Sequence, residues 1–422
     1  MKINSYSFSE LIETTLDGEW GEGEARTGYE ACYIIRGTDF SKLNRFDYEL
    51  PIRWIKQSAI DRKKLSYGDL VLETAGGTST QSTGRSVLIG KSFIGTHKNK
   101  PVLCSSFARH LRINKNVVNP TFLFYLMQSL YKAGYMGVFN IQHTGISRFQ
   151  FTTFKNKTKL SIPSLVIQKK IAAVLSAYDD LIENNNRRIA ILEKMAEELY
   201  CEWFVRLRFP GHEKTKIVKG VPEGWDVKRI GDIIRFEKGK NPVALFDEIS
   251  EETDIYLNVD AIENRYYKYA QKLKSISCKE DETLMLMDGA RSSVVFNGKK
   301  GIVSSTFAVI RTDAQNRPML HEYFKANLEA MVSNNTGSAI PHANKEFIIR
   351  MCIKLPLNND LIKKFNEQYQ TIFSQLRNLQ HKKSILTISR DRLLSHLMSG
   401  KIDLGKMDIK FPASMMEDAA CA

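Results

Sequence analysis

Apolar residues recur at steps of three and four along two long stretches of the chain. The first follows Pro163 and meets no further proline until Pro210. Its stripe comprises Ile167, Ile171, Val174, Tyr178, Ile182, Asn185, Ile189, Leu192, Ala196, Leu199 and Trp203. The second follows Pro356, with Ile362, Phe365, Tyr369, Ile372, Leu376, Leu379, Leu386, Leu393 and Leu397 on one side and Lys383 and Arg390 among them. This spacing predicts long helices over 164–205 and 359–399 with coiled-coil seams. About 40 residues at ~1.5 Å each gives a rod of roughly 60 Å. A rod with one narrow stripe needs a partner, and the nearest is the other helix of the same chain. Ile171, Tyr178, Asn185, Ile189, Leu192 and Leu199, with Phe365, Ile372, Leu376, Leu379, Leu386 and Leu393, are the expected helix-pairing and partner-docking positions.

The segments before each rod run in the same order. Tyr67–Leu72 matches Asp281–Leu286, and each leads into a small-residue loop, Ala75–Ser79 or Asp288–Ser292. Ser86–Ile89 then matches Ser293–Phe296, and Ser105–Ala108 matches Ser305–Ala308. A helix opening at Pro120 or Pro318 follows, then Thr144-Gly145 or Thr336-Gly337, then a strand ending at Pro163 or Pro356. The whole reads as a duplication: domain 1–163, helix 164–205, domain 206–358 with a linker at 206–222, helix 359–399 and a tail at 400–422. The fold class is α+β, two similar domains of mixed sheet and helices with a pseudo-twofold relation.

Composition adds partners rather than chemistry. Net charge is +14, and most of the excess lies in the segments before the rods. That pattern suits a polyanion. No apolar run reaches the ~18 residues of a membrane span. The opening MKINSYSFSE lacks a signal peptide's basic and apolar regions. Six scattered cysteines without a CxxC pair suit buried thiols in a reducing cytoplasm rather than zinc or disulfides.

Motifs for catalysis do not assemble. Gly90-Lys91-Ser92 lacks the P-loop's earlier glycine, and its flanks read as strands. Asn297-Gly298-Lys299, at the corresponding place, reads as a hairpin turn. Asn119-Pro120-Thr121-Phe122 suits a helix start better than an amino-methyltransferase tetrapeptide. The acidic run Asp247–Asp254 reads as a solvated loop.

Polar loops in both halves suit nucleic acid instead. Candidate contacts in the first half are Thr78, Thr80, Gln81, Arg85, Lys98, Lys100, Arg109, Asn140, Gln142 and His143. In the second half they are Arg291, Ser292, Lys299, Lys300, Asn335, His342, Asn344 and Lys345, with Arg311 as a further phosphate candidate. Arg, Asn and Gln can read base edges, and lysines can meet phosphates.

Ile162–Ser176 and Asp179–Glu193 resemble the central conserved region of type I restriction–modification specificity (S) subunits. Leu393–Leu404 resembles a weaker second copy, and Val221-Pro-Glu-Gly-Trp225 resembles the opening of a target-recognition domain. The first domain has no such opening near Met1. The resemblance implies two target-recognition domains reading a bipartite site in double-stranded DNA, with antiparallel helices as a ruler between them. It implies two modification (methyltransferase) subunits and restriction/translocase subunits as partners, in a bacterial or archaeal cytoplasm. No cofactor is expected in this chain; S-adenosylmethionine, ATP and Mg would belong to the partners. The alternatives are a DNA-binding regulator without enzymatic partners and a self-sufficient DNA methyltransferase.

Overall fold

The structure is a computed structural model that describes residues 3–77, 81–143, 146–264 and 266–415. The chain divides into two compact units, 1–188 with 379–422, and 189–378. Each unit takes its globular part from one half of the sequence and its helical part from both long helices.

Both stripes produce helices, Leu165–Tyr200 and Asn359–Met398, the first continued by a π turn at Cys201–Val205. In the first unit Ile167, Ile171 and Leu175 share a core with Leu394 and Leu397. In the second, Trp203 and Phe204 lie 5.7 and 5.0 Å from the Phe365 ring. Tyr178, Ile189, Leu199, Ile372, Leu386 and Leu393 are half-buried, while Leu192, Leu376 and Leu379 are buried. Asn185 is also buried. A second polar seam position, Arg390, donates to Asp179 at 2.6 Å, and Tyr125 donates to the same carboxylate at 2.6 Å. The segment after the second helix does not hang free: Leu404 joins the first unit's core, and the Lys170 ammonium donates to the Leu404, Gly405 and Met407 carbonyls.

The main sheets of the two globular parts repeat one another. An opening strand pairs antiparallel with the closing one, Ile3–Ser7 with Lys159–Pro163 and Trp225–Arg229 with Cys352–Pro356. Ile3–Ser7 thus takes the place of the opening that the first half lacked as a motif. A four-stranded sheet runs Ile12–Asp17, Ala108–Ile113, Leu70–Glu73, Ser86–Leu88. Its repeat runs Arg235–Lys238, Phe307–Arg311, Thr283–Leu286, Val295–Asn297. A second sheet places Tyr29–Ile35 between Ile52–Lys56 and Val102–Cys104, the latter parallel to it. Thr253–Leu257 lies likewise between Tyr269–Gln271 and the parallel strand Gly301–Val303.

Backbone hydrogen bonds fix the correspondence. Gly18 donates to the Ala108 carbonyl and Gly239 to that of Phe307; Thr74 donates to Phe107 and Met287 to Thr306. Ala75-Gly76 therefore matches Asp288-Gly289, as the small-residue loops suggest, and Gly76 and Gly289 have φ of 113° and 104°. The flanking matches shift. Ser105 pairs with Ser304 rather than Ser305, and Leu72 with Met285 rather than Leu286. Ser86 matches Val295 rather than Ser293, because Gly84 and Ser293 both donate to the edge of the preceding strand. The offset has a visible effect: Phe107 is 46% exposed, whereas Phe307, its partner by sequence pattern, is fully buried.

Two further expectations fail. Phe93-Ile94-Gly95 lies in a helix, Lys91–Thr96, capped by Gly90, not in a strand. Asn297-Gly298-Lys299 makes no hairpin, since Val295–Asn297 and Gly301–Val303 belong to different sheets. Gly298 is needed there for another reason: a Cβ would sit 2.1 Å from the Lys279 carbonyl oxygen. Asn119 does cap its helix, accepting from the Phe122 amide at 3.0 Å.

Candidate nucleic-acid interface

Each globular part gathers four segments at one end of its sheets. In the first unit they are the loop after Gly18, the Ser105–Phe107 turn, the loop after Ala75, and the hairpin Asn140–His143 with Ile146–Phe149. The hairpin continues the loop as a sheet, with Ser147 opposite Gly77 and Arg148 opposite Ala75. In the second unit the equivalent positions are Gly239 onward, Ser304–Thr306, Asp288–Ser293 and Asn335–His342.

Glycine permits this convergence. A Cβ on Gly18 would sit 2.1 Å from the Ser105 carbonyl oxygen, and one on Gly239 would sit 2.2 Å from that of Ser304. Buried hydroxyl–amide contacts then hold the loops. Thr83 donates to Asn140; Ser293 donates to the Asn335 amide oxygen at 2.7 Å, and the Asn335 amide donates to Ser292 at 2.8 Å. At the other end of the same strands lies a repeated ion pair. Arg112 grips Asp69 at 3.0 and 3.1 Å, and Arg311 grips Glu282 at 2.7 Å. Burial works against the Asp69 charge, but hydrogen bonds from His110 and Arg112 keep its carboxyl below the usual range.

Several sequence candidates prove to belong to this framework. Arg85 is bound to Glu73, Ser41 and the Gly37 carbonyl, and its side chain is only 12% exposed. Its partner Glu73 is fully buried, and that burial raises the carboxyl's pKa despite the guanidinium. Gln81 lies against the same guanidinium. Asn140, Ser292 and Asn335 clamp loops, and Asn344 caps the helix Lys345–Arg350. Arg311 is held by Glu282, Glu237 and the Ser277 carbonyl. These residues shape the surface without presenting their polar groups on it.

Four lysine candidates fall elsewhere. Lys98 and Lys100 precede strand Val102–Cys104, whose other end carries Ser105–Phe107. Lys299 and Lys300 likewise precede Gly301–Val303, and Lys299 donates to the Ala261 carbonyl and Asn264 at 3.0 and 2.8 Å. Arg109 stacks 4.6 Å from the Phe151 ring and pairs with Asp17. Thr78 and Thr80 lie outside the described residues. Gln142 and His143 occupy the hairpin's first strand, in register with Ser147 and Ile146.

What remains on the converged surface is partly new. Arg291 is half-exposed, paired with Glu263 and 5.5 Å from the Phe296 ring. His342 shares Asp288 with Lys238, at 2.7 and 3.0 Å. Burial alone would raise the Asp288 pKa, and these two hydrogen bonds bring it below the usual range. Lys345 is exposed, 6.0 Å from the Phe236 ring. Sequence reasoning missed Arg148, Lys238, Trp20 and Phe107. The last two rings are exposed and 6.0 Å apart, with Arg53 over Trp20 at 5.3 Å. Their one sequence signal was the glycine pair Gly18 and Gly21 beside Trp20. Among the described residues no His/Cys/Asp/Glu group is placed to hold a metal ion.

The geometry defines a duplicated chain whose two modules present equivalent loop-and-hairpin surfaces and whose long helices contribute to both. The profile of the type I restriction modification DNA specificity domain matches residues 52–194 and 222–389, one match in each half. The chain belongs to this family of type I restriction–modification specificity subunits. It is 28% identical over 313 residues to the type I restriction enzyme MjaIX specificity subunit of Methanocaldococcus jannaschii, covering 69% of this chain and 71% of that one. The MjaVIII specificity subunit of the same organism is 34% identical over 160 residues, 36% of this chain and 37% of the relative. In fold the chain is similar to the crystal structure of a type I S subunit from M. genitalium, with a TM-score of 0.55 and 16% identity over 94% of this chain and 96% of that one.

Proposed function

We propose that this chain reads a bipartite double-stranded DNA site, one half with each unit, and delivers modification subunits to it. The observation that carries this reading is the repetition of one exposed surface, built on equivalent glycines and hydroxyl–amide clamps. A basic chain, +14 overall, suits the phosphate backbone. The chain itself is non-catalytic in this reading. S-adenosylmethionine, ATP and Mg2+ serve the two modification subunits and the restriction/translocase subunits, in a bacterial or archaeal cytoplasm. No helix among the described residues is long and apolar enough to cross a membrane, and the described cysteines are unpaired. The inward stripes pair the helices, so docking falls to their outer faces. These expose Leu181, Ile385 and Ile388 in the first unit and Ile191 and Met195 in the second.

The test is a single-molecule methylome of cells with the chain and its modification subunit, compared with cells lacking the chain. A split motif carrying methyladenine in both halves, lost on deletion, supports the reading. An unchanged methylome with an active modification subunit rejects it in favour of a regulator.

A further inference from the structure

We propose that Arg148 selects a base for the first unit, reading guanine, and that His342 holds the equivalent reading position in the second. This rests on the DNA-reading function proposed above and names the side chains that set its specificity.

Register establishes the equivalence. Arg148 lies opposite Ala75, and His342 bridges Asp288, the residue that matches Ala75. The next residues confirm it: Phe149 donates to the Thr74 carbonyl and Ala343 to that of Met287. Arg148 stands on a strand and His342 at an isolated bridge, each directly beside the positive-φ glycine of the loop, Gly76 or Gly289.

Alternation turns Arg148 outward. Ser147 and Phe149 on either side of it are buried, and Arg148 is exposed beside Ile141, its cross-strand neighbour at 39% exposure. Arg85 and Arg109 are committed to Glu73 and Asp17. Arg148 has no hydrogen bond or ion pair among the described residues, so its planar fork keeps its donors. The strand it stands on forms an antiparallel ribbon with Asn140–His143, and a major groove admits such a ribbon. Its glycine neighbours add no side chain between the ribbon and a base edge. An arginine fork placed there matches the O6 and N7 acceptors of guanine, which no other base pair offers together.

His342 is held differently. Asp288 engages its Nδ1 at 2.7 Å and is itself held by Lys238 at 3.0 Å. The ring is therefore oriented while remaining half-exposed, with Nε2 left for a base. One position thus carries different chemistry in the two units, and the half-sites should differ accordingly.

The experiment selects binding sites from a randomised duplex library, using the full chain assembled with its modification subunits. Wild type, Arg148→Ala, Arg148→Gln and His342→Ala are compared, with unfolding curves to confirm folding. The expected result is loss of preference for one guanine in one half-site in both Arg148 variants, roughly 5- to 150-fold, with the other half-site unchanged. His342→Ala should alter only that other half. An unchanged motif, uniform weakening without altered base preference, or full guanine discrimination retained by Arg148→Gln would each overturn the assignment while leaving the proposed function standing. If wild type selects no split motif, the proposed function fails and the assignment with it. Should Arg148→Ala not fold, Arg148→Gln decides, because it keeps a long polar side chain and loses the guanidinium fork.

Discussion

Gly18 and Gly239 show how much one missing carbon can carry. Each lets a strand end pass against a carbonyl at a distance no Cβ could share. Gly18→Ala and Gly239→Ala should each destabilise their own unit by about 2–4 kcal/mol in denaturant unfolding. Gly95→Ala, in a helix with open space around it, should be neutral or slightly stabilising. His321 offers a pH test. Burial, with help from Lys325, pushes its pKa down to about 3. The unfolded chain therefore takes up this proton first as pH falls, so stability is complete above about pH 6.5 and declines below it. From pH 7.5 to 5.5 the loss is about 1.4 kcal/mol, and His321→Gln should remove that part of the slope in parallel melts. At this scale the sequence was a poor guide to the surface. Arg85, Asn140 and Asn335 have the right chemistry for bases, yet their groups are taken by Glu73, Thr83 and the Ser292–Ser293 pair. Those neighbours are distant in the chain or ambiguous in sequence, so exposure could not be read from residue type.

The long helices were legible because a stripe at steps of three and four is a local property that burial merely ratifies. The duplicated strands were legible in order but not in register. Repeated Ser and Phe letters aligned Phe107 with Phe307, whereas hydrogen bonds align it with Thr306 and reverse its facing. Short segments failed too: a six-residue helix and a strand look alike in a run such as Lys91–Thr96. The polar seam residue Arg390 gives the element-level prediction. Burial raises the pKa of Asp179 even with Arg390 beside it, so removing the guanidinium strands a buried acid. Arg390→Met should cost about 3 kcal/mol or more in chemical unfolding of the first unit, and the pair Asp179→Leu/Arg390→Met should recover most of it. Equal loss in the single and double variants would show that the pair contributes through its own attraction instead.

At the scale of the molecule, the ruler that the family resemblance implies makes a length prediction. Four residues inserted after Asn185, matched by four beside Lys383, lengthen the helices by about 6 Å. The spacer between half-sites should grow by one or two base pairs, at roughly 3.4 Å each, as read from the methylated motif; an unaltered spacer removes the ruler. The division of the chain has a consequence for how it is made. The second unit is contiguous, residues 189–378, whereas the first waits for residues 379–422 to supply Leu394, Leu397 and Leu404 to its core. On the ribosome, the half synthesised first must therefore be finished after the half that follows it. Its apolar face stays open until residues 379–422 have been made, and a message cut short before them would yield one completed unit and one left without part of its core.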